Sequence, residues 1–499
     1  MATSRSPINV SFLQELMSTV AEQGRSLLPR SLFADPGHEN IDALASALIS
    51  SRGEASGVAI ARQIVERYRT LDPQERLSFF EYLGREMQPD ATRVAAAARA
   101  YASAPSAEAL SELQHAVESP RQEFFRRLNL APGATAEIVA MRRGLLQHLK
   151  GSVMLQRVDE DLRHLLSSWF NRGFLVLRRI DWQTPASILE KIIAYEAVHR
   201  IESWDDLRRR LDARDRRCFA YFHPALVDEP LIFVEVALAH EAADAIQPIL
   251  NAEPIERPIE APTTAIFYSI SNCQEGLKGI SFGNFLIKQV VEDLVRELPT
   301  LKTFVTLSPV PGFARWLSGR EGQATVAAMP QDKRSALSLL HRARWHTKER
   351  ALVALREPLQ AVAAHYFLTA RREDGRVVDP VARFHLGNGA RLERINVMGD
   401  VSDKGLEEAH GLMVNYRYDL KEIEKNHEAF ANQGVVAASR GVKSLLKPLD
   451  AGKVAPGQDT EPEPMLALEH KAAIGQEPAS EAAGQRPGPK RSLMPRQTT

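Results

Sequence analysis

Apolar residues recur at helical spacing along roughly the first third of the chain. Leu13, Leu16, Met17 and Val20 fall at i, i+3, i+4 and i+7, and Ile41, Leu44, Ala45 and Leu48 repeat that stripe, with Gly53 placed to end it. The segment Asp72-Pro73-Gln74-Glu75 reads as a helix start: Asp72 accepts from orphan N–H groups, Pro73 takes the first helical position and Glu75 reaches back. An alanine-rich run (Val94–Ala104) and the turn PGAT (Pro132–Thr135) separate further helices, the last ending near HLLSSWF (His164–Phe170). This is the pattern of an all-helical bundle, suited to packing or self-association and carrying no chemistry of its own. The period changes at Gly173. FLVLRRI (Phe174–Ile180), RCFAYFHP (Arg217–Pro224), LIFVEVALA (Leu231–Ala239), TAIFYSIS (Thr264–Ser271) and TFVTLSPV (Thr303–Val310) are apolar, β-branched or aromatic strand candidates. Helices are expected over Thr184–His199 and Phe285–Leu298, then in stretches from about Gly312 to Thr369, before a mixed segment to about Leu446. From about Asp450 no Phe, Tyr or Trp occurs, and such a segment buries too little apolar surface to offset its ordering entropy. The expected division is a helical domain over 1–172, an α/β domain over 173–450 and a disordered tail over 451–499.

Composition narrows the function classes. Formal net charge is zero, which argues against a nucleic-acid binder and confines any phosphate recognition to a local site. Cys218 and Cys273 are the only cysteines, too few for a disulfide framework or a zinc site, and a reduced cytoplasmic location is expected. LIFVEVALA is interrupted by Glu235 and is too short to span a bilayer, so no membrane partner is expected. His223, His240 and His365 are scattered without HxH or HExxH spacing, so no metal site is expected. Glu373, Asp374 and Asp379 read as a solvated turn around Gly375.

The most informative local arrangement runs from TAIFYSIS through NCQEGLKGISFGN (Asn272–Asn284) into an amphipathic helix. Free N–H groups at a helix start form an anion site, Gly276, Gly279 and Gly283 let the main chain approach a phosphate, and Lys278 adds positive charge. Neither GxGxxG nor GK[ST] is present, and a loop built only for a tight turn is the plain alternative. On residue type alone, His385 reads as a hydrogen-bonded structural histidine, Ser308 as a turn cap before proline, and Tyr416 and Tyr418 as strand packing.

Lys278-x-x-Ser281-x-Gly283, after a strand and before a helix, resembles the pyrophosphate loop of the GNAT acetyltransferase fold, with Lys at the first position and Ser281 at the middle glycine. A wider resemblance runs from about Glu160 to Leu446. The blocks AIFYSIS, QEGLKGISFGNFLIKQVV, LSPVPGF, DPVARFHLGNGA, RIN and GLMVNYRYDL, in this order and spacing, resemble the malonyl-CoA decarboxylase family. That resemblance implies a helical N-terminal region followed by a GNAT-like catalytic domain, with a central mixed sheet flanked by helices, and self-association through the helical part. It also implies catalytic roles for Ser308 and His385, supporting roles for Ser269 and Tyr418, and a malonyl-CoA-binding loop at Lys278, Gly279, Ile280, Ser281, Phe282, Gly283 and Asn284. Relatives can carry glutamine at Lys278, an acidic residue at Ser281 and glutamine at Gly387, so contacts made by the loop backbone carry over more directly than its side chains.

The chemistry so implied requires no metal or organic cofactor, because the thioester carbonyl of malonyl-CoA delocalises, as an enolate, the electron pair left by departing CO2. The protein has to hold the carboxylate out of the thioester plane, stabilise the oxyanion and supply one proton. His385 is expected to be the proton donor, since an unperturbed imidazole titrates near neutrality, and Ser308 the acceptor or relay. Ser269 and Tyr418 would orient the acyl group while the loop holds the pyrophosphate. Two alternatives stay open: a GNAT-type acyltransferase acting on the same thioester, and a non-catalytic acyl-CoA-binding scaffold.

Overall fold

Asp72 accepts from the Glu75 N–H at 2.8 Å and Glu75 from the Asp72 N–H at 2.9 Å, closing the capping box expected at the start of helix Pro73–Glu86. The computed structural model describes residues 40–50, 53–251, 260–280 and 286–446. Helices fill the N-terminal part up to Val153–Trp169. The alanine-rich run lies in helix Ala91–Ser103, which buries only Ala97 and pairs with Ala107–Val117 as an exposed hairpin. Alanine there serves helix propensity more than core packing.

Beyond Gly173 the chain builds one eight-stranded sheet: β1 (Val176–Ile180), β2 (Arg216–His223), β3 (Leu226–Ala239), β4 (Thr264–Asn272), β5 (Thr303–Thr306), β6 (Ser308–Pro309), β7 (Arg391–Asn396) and β8 (Met413–Arg417). The order is β1-β2-β3-β4-β5-β8-β6, with β7 on β8, and only the β4–β5 pair is parallel. The helix Leu286–Glu297 makes the β4-to-β5 crossover that a parallel pair needs. The fold is thus the expected helical region followed by a mixed sheet with flanking helices.

One departure from the expected elements creates the site. TFVTLSPV is not a single strand. β5 pairs with β4 only from Thr264↔Thr303 to Phe267↔Thr306, and the Leu307 N–H makes a last bond to Phe267 O at 2.8 Å. Ser308 and Pro309 then turn to β8, at Val414 and Met413. Pro309 and Pro311 lack the N–H that would continue the β4 ladder. Past Phe267 the two strands part, and a crevice opens at the carboxyl ends of the parallel pair, where ligands bind in open α/β sheets.

The bundle and sheet share a continuous apolar core that includes Phe79, Phe124 and Leu162 with Tyr221, Val234 and Phe267. At the seam, buried Arg142 pairs with Asp159 at 2.7 Å and donates to Gly276 O at 2.7 Å. Gly276 has to be glycine there, because a Cβ would lie 1.9 Å from Val139 O.

Candidate active site

His385 sits on helix Pro380–Gly387, and the sequence DPVARFHLG shows why that helix starts where it does. Asp379 caps it by accepting from the Ala382 N–H at 2.7 Å, and Pro380 takes the first helical position. The second Asp379 oxygen accepts from Tyr366 Oη at 3.2 Å. The expected solvated turn is correct for Asp374, which is exposed and paired with Arg376, but not for Asp379, which is fully buried. Burial pushes the Asp379 carboxyl up to about 6 despite those donors.

Ser308 and His385, separated by 77 positions, meet with Ser308 Oγ 3.1 Å from His385 Nε2. Ser308 Oγ also donates to Thr306 Oγ1 at 2.8 Å. With its only proton used there, Ser308 accepts from Nε2–H, so Nδ1 accepts from Tyr418 Oη at 2.8 Å. The Tyr416 ring stacks on the imidazole, centroids 4.6 Å apart and planes 24° apart. Two tyrosines at strand spacing therefore fix one histidine, Tyr416 by its face and Tyr418 by its hydroxyl. His385 is 3 % exposed, and burial without a charged partner pushes its imidazole down to about 3. The acid form expected at cellular pH is thus absent from the free protein, because a dry pocket opposes the cation. Burial likewise drives the Tyr418 hydroxyl well above its ordinary value, so it acts as a hydrogen-bond donor.

The pair lines a cavity of about 210 Å³ whose other walls include Phe267, Tyr268, Ile270, Asn272, Val381 and Phe384. Among the described residues no Lys or Arg lines it. Asn272 and Phe384 also line a groove of about 740 Å³ that holds Lys278, Gly279 and Ile280. Gly279 has a φ of +79°, a left-handed conformation that glycine adopts without strain. Ser281, Phe282, Gly283 and Asn284 lie outside the described residues. Ser269 is placed elsewhere: it donates to Glu196 at 2.8 Å and does not line the cavity. Glu196 also accepts from the N–H groups of Val198 (2.7 Å) and His199 (2.8 Å), so Ser269 helps hold the segment that brings Val198 to the cavity wall.

Several contributors escaped the sequence reading. Asn272 and Phe384 stand inside blocks already quoted, and like Thr306 they carried no signal of a role. Asp379 did, since Asp-Pro ahead of an apolar run is the same start signal as Asp72-Pro73. Arg143, Leu146 and Gln147, from the region read as chemically silent, line the groove. His223 accepts from the Ala225 N–H, His365 stacks on Trp316, and among the described residues no group of three or more His, Cys, Asp or Glu is placed to hold a metal. No helix among them is long and apolar enough to cross a membrane.

Comparison with known proteins gives a consistent result. The family model of the malonyl-CoA decarboxylase C-terminal domain matches residues 173–455, and that of the N-terminal domain matches 87–170. The crystal structure of malonyl-CoA decarboxylase from Rhodopseudomonas palustris is 52% identical with a TM-score of 0.77, covering 81% of this chain and 98% of that one. The enzyme from Agrobacterium vitis is 53% identical with a TM-score of 0.77, covering 81% of this chain and 99% of that one. Mitochondrial malonyl-CoA decarboxylase of Anser anser anser is 37% identical over 353 residues, 66% of this chain and 70% of the relative. By sequence along most of its length and by fold, the chain belongs to the malonyl-CoA decarboxylase family.

Proposed function

We propose that this protein converts malonyl-CoA to acetyl-CoA and CO2, with Ser308 and His385 managing the proton and the oxyanion. The observation that carries this reading is the Ser308–His385 contact on the wall of a small, mostly apolar cavity that shares Asn272 and Phe384 with the neighbouring groove. A malonyl carboxylate entering it leaves water and meets no Lys or Arg among the described residues. Loss of CO2 moves the charge onto the thioester oxygen, where the Nε2–H and the Ser308 hydroxyl can follow it by turning from their partners in the free protein. The stranded charge is relieved by the reaction itself. In the acceptor-free assay, purified protein and malonyl-CoA alone yield acetyl-CoA and CO2. A GNAT-type acyltransferase would leave malonyl-CoA intact until an acceptor amine was added, and a non-catalytic scaffold would leave it intact throughout.

The proton arrives with the substrate. A carboxylate about 4 Å from the imidazole, at an effective dielectric near 20, favours imidazolium by about 4 kcal/mol. That is roughly three powers of ten in proton affinity, enough to bring an imidazole held at about 3 to about 6. Calorimetry with an acyl-CoA bearing a sulfonate in place of the malonyl carboxylate, which cannot lose CO2, should therefore register proton uptake at about pH 6, fading by about pH 8. Acetyl-CoA should show none. Equal uptake for both ligands would contradict the scheme. For the stability of the free protein the sign is different. The unfolded chain takes the proton first, so the contribution of neutral His385, fully present above about pH 6.5, is lost as pH falls towards 3.

Self-association through the helical domain, residues 1–172, is part of the same reading, supported by the exposed hairpin of Ala91–Ser103 and Ala107–Val117, with Leu110 and Val117 exposed. The free, buried thiols of Cys218 and Cys273 fit a reducing compartment such as the cytoplasm. The catalytic domain is assigned to 173–450 and the tail to 451–499.

A further inference from the structure

The helix Ala134–Leu145 belongs to the N-terminal bundle but is built into the substrate groove. Its buried Arg142 ties Asp159 to Gly276 O, and its backbone at Val139 leaves room at residue 276 for glycine alone. One residue further on, roughly 100° around the helix, Arg143 lines the groove with Gln147. Lys278 lines it as well. Both cations are exposed, and neither pairs with any side chain among the described residues. Arg383, the other cation on the groove among the described residues, is committed to Val377 O at 2.6 Å and Val378 O at 2.8 Å. Among the described residues Glu275 is the only carboxylate on the walls. An otherwise balanced chain thus presents two uncommitted positive side chains where a polyanionic ligand would lie.

We infer that Arg143 holds the 3′-phosphate of the CoA nucleotide, with Lys278 as a second cation, so that the helical region supplies CoA specificity to the reaction. The inference rests on the CoA-thioester reading above. With the acyl end at Ser308 and His385, and the pyrophosphate assigned by the family resemblance to the Lys278–Asn284 segment, the 3′-phosphate is the remaining dianion. A phosphate monoester suits the planar fork of a guanidinium, which bonds two of its oxygens at once. Arg142 and Arg143 then divide the work: the first fixes the helix to the loop, the second reads the ligand.

The test compares malonyl-CoA with malonyl-dephospho-CoA, which lacks only the 3′-phosphate, in wild type and in Arg143→Gln. Wild type should prefer malonyl-CoA by roughly tenfold or more in kcat/KM, carried by KM, as expected for a charge-assisted contact at an exposed site. In Arg143→Gln that preference should shrink to within about twofold. Wild type that treats the two substrates alike, or an Arg143→Gln variant that keeps the full preference, overturns the inference. Titration with CoA and dephospho-CoA reads the same preference without turnover. Absence of malonyl-CoA turnover in wild type would count against the decarboxylase reading, while this binding comparison would still decide the role of Arg143.

Discussion

Replacing His385 with alanine should lower kcat for malonyl-CoA by about 10²–10⁴-fold, the range for loss of a positioned general acid, while acetyl-CoA binding changes little. The asymmetry follows from where the histidine stands. Its Nε2 reaches Ser308 inside the small cavity, whereas the groove that would hold the CoA body is lined by other residues. Truncation also leaves the Tyr418 hydroxyl without its acceptor in a buried site, so a His385→Gln variant, which retains polar atoms there, is the better control for packing. It too should be slow, because an amide cannot shuttle a proton. A His385→Ala enzyme as fast as wild type would remove the proton-donor assignment, whatever the fold.

The second large effect concerns stability and lies far from the chemistry. Arg142→Met should destabilise the protein by about 3–5 kcal/mol, since it strands the Asp159 carboxylate without its buried partner. Arg142 is 1 % exposed and Asp159 7 %. Urea unfolding should show the loss, and the double variant Arg142→Met/Asp159→Leu should recover much of it, because two apolar groups replace the ion pair without leaving a bare charge. Recovery of stability should not restore substrate affinity. Gly276 O still lacks its donor in the double variant, so the turn beside the groove is held less firmly and KM for malonyl-CoA stays raised. A single variant as stable as wild type would mean that this seam does not join bundle to sheet.

Much of the fold was legible because its signals are local. The Asp72 capping box, the amphipathic helix after the Gly-containing loop and the apolar strands β2, β3 and β4 are written in consecutive residues. Trp204–Leu211 was not seen, since WDDLRRRL shows only Leu207 and Leu211 as apolar anchors and reads as a charged surface, although Ser203 caps it. The split of TFVTLSPV into β5 and β6 was equally hidden: both halves are strand-like, and only the competition between β4 and β8 for the chain decides where it turns. That turn is what exposes Ser308 to the crevice.

Residue type alone left Ser308 and His385 ordinary, and the family resemblance raised them. Their contact joins positions 77 residues apart, which no spacing rule reaches. Ser269 shows the limit of carrying roles over by position, since it supports Glu196 and does not face the cavity. Arg143 marks the opposite failure: a region read as chemically silent walls the groove, because its helix is pressed against Gly276 by contacts 134 positions apart in sequence.

A single reaction run in D2O tests the chemistry most directly. Supplied with malonyl-CoA and no acceptor, and sampled before the α-hydrogens exchange with solvent, the protein should release CO2 and leave acetyl-CoA carrying one deuterium in its methyl group, with product formation collapsing in His385→Ala. Malonyl-CoA recovered unchanged, or acetyl-CoA formed just as quickly by His385→Ala, would contradict protonation of a thioester enolate at this site.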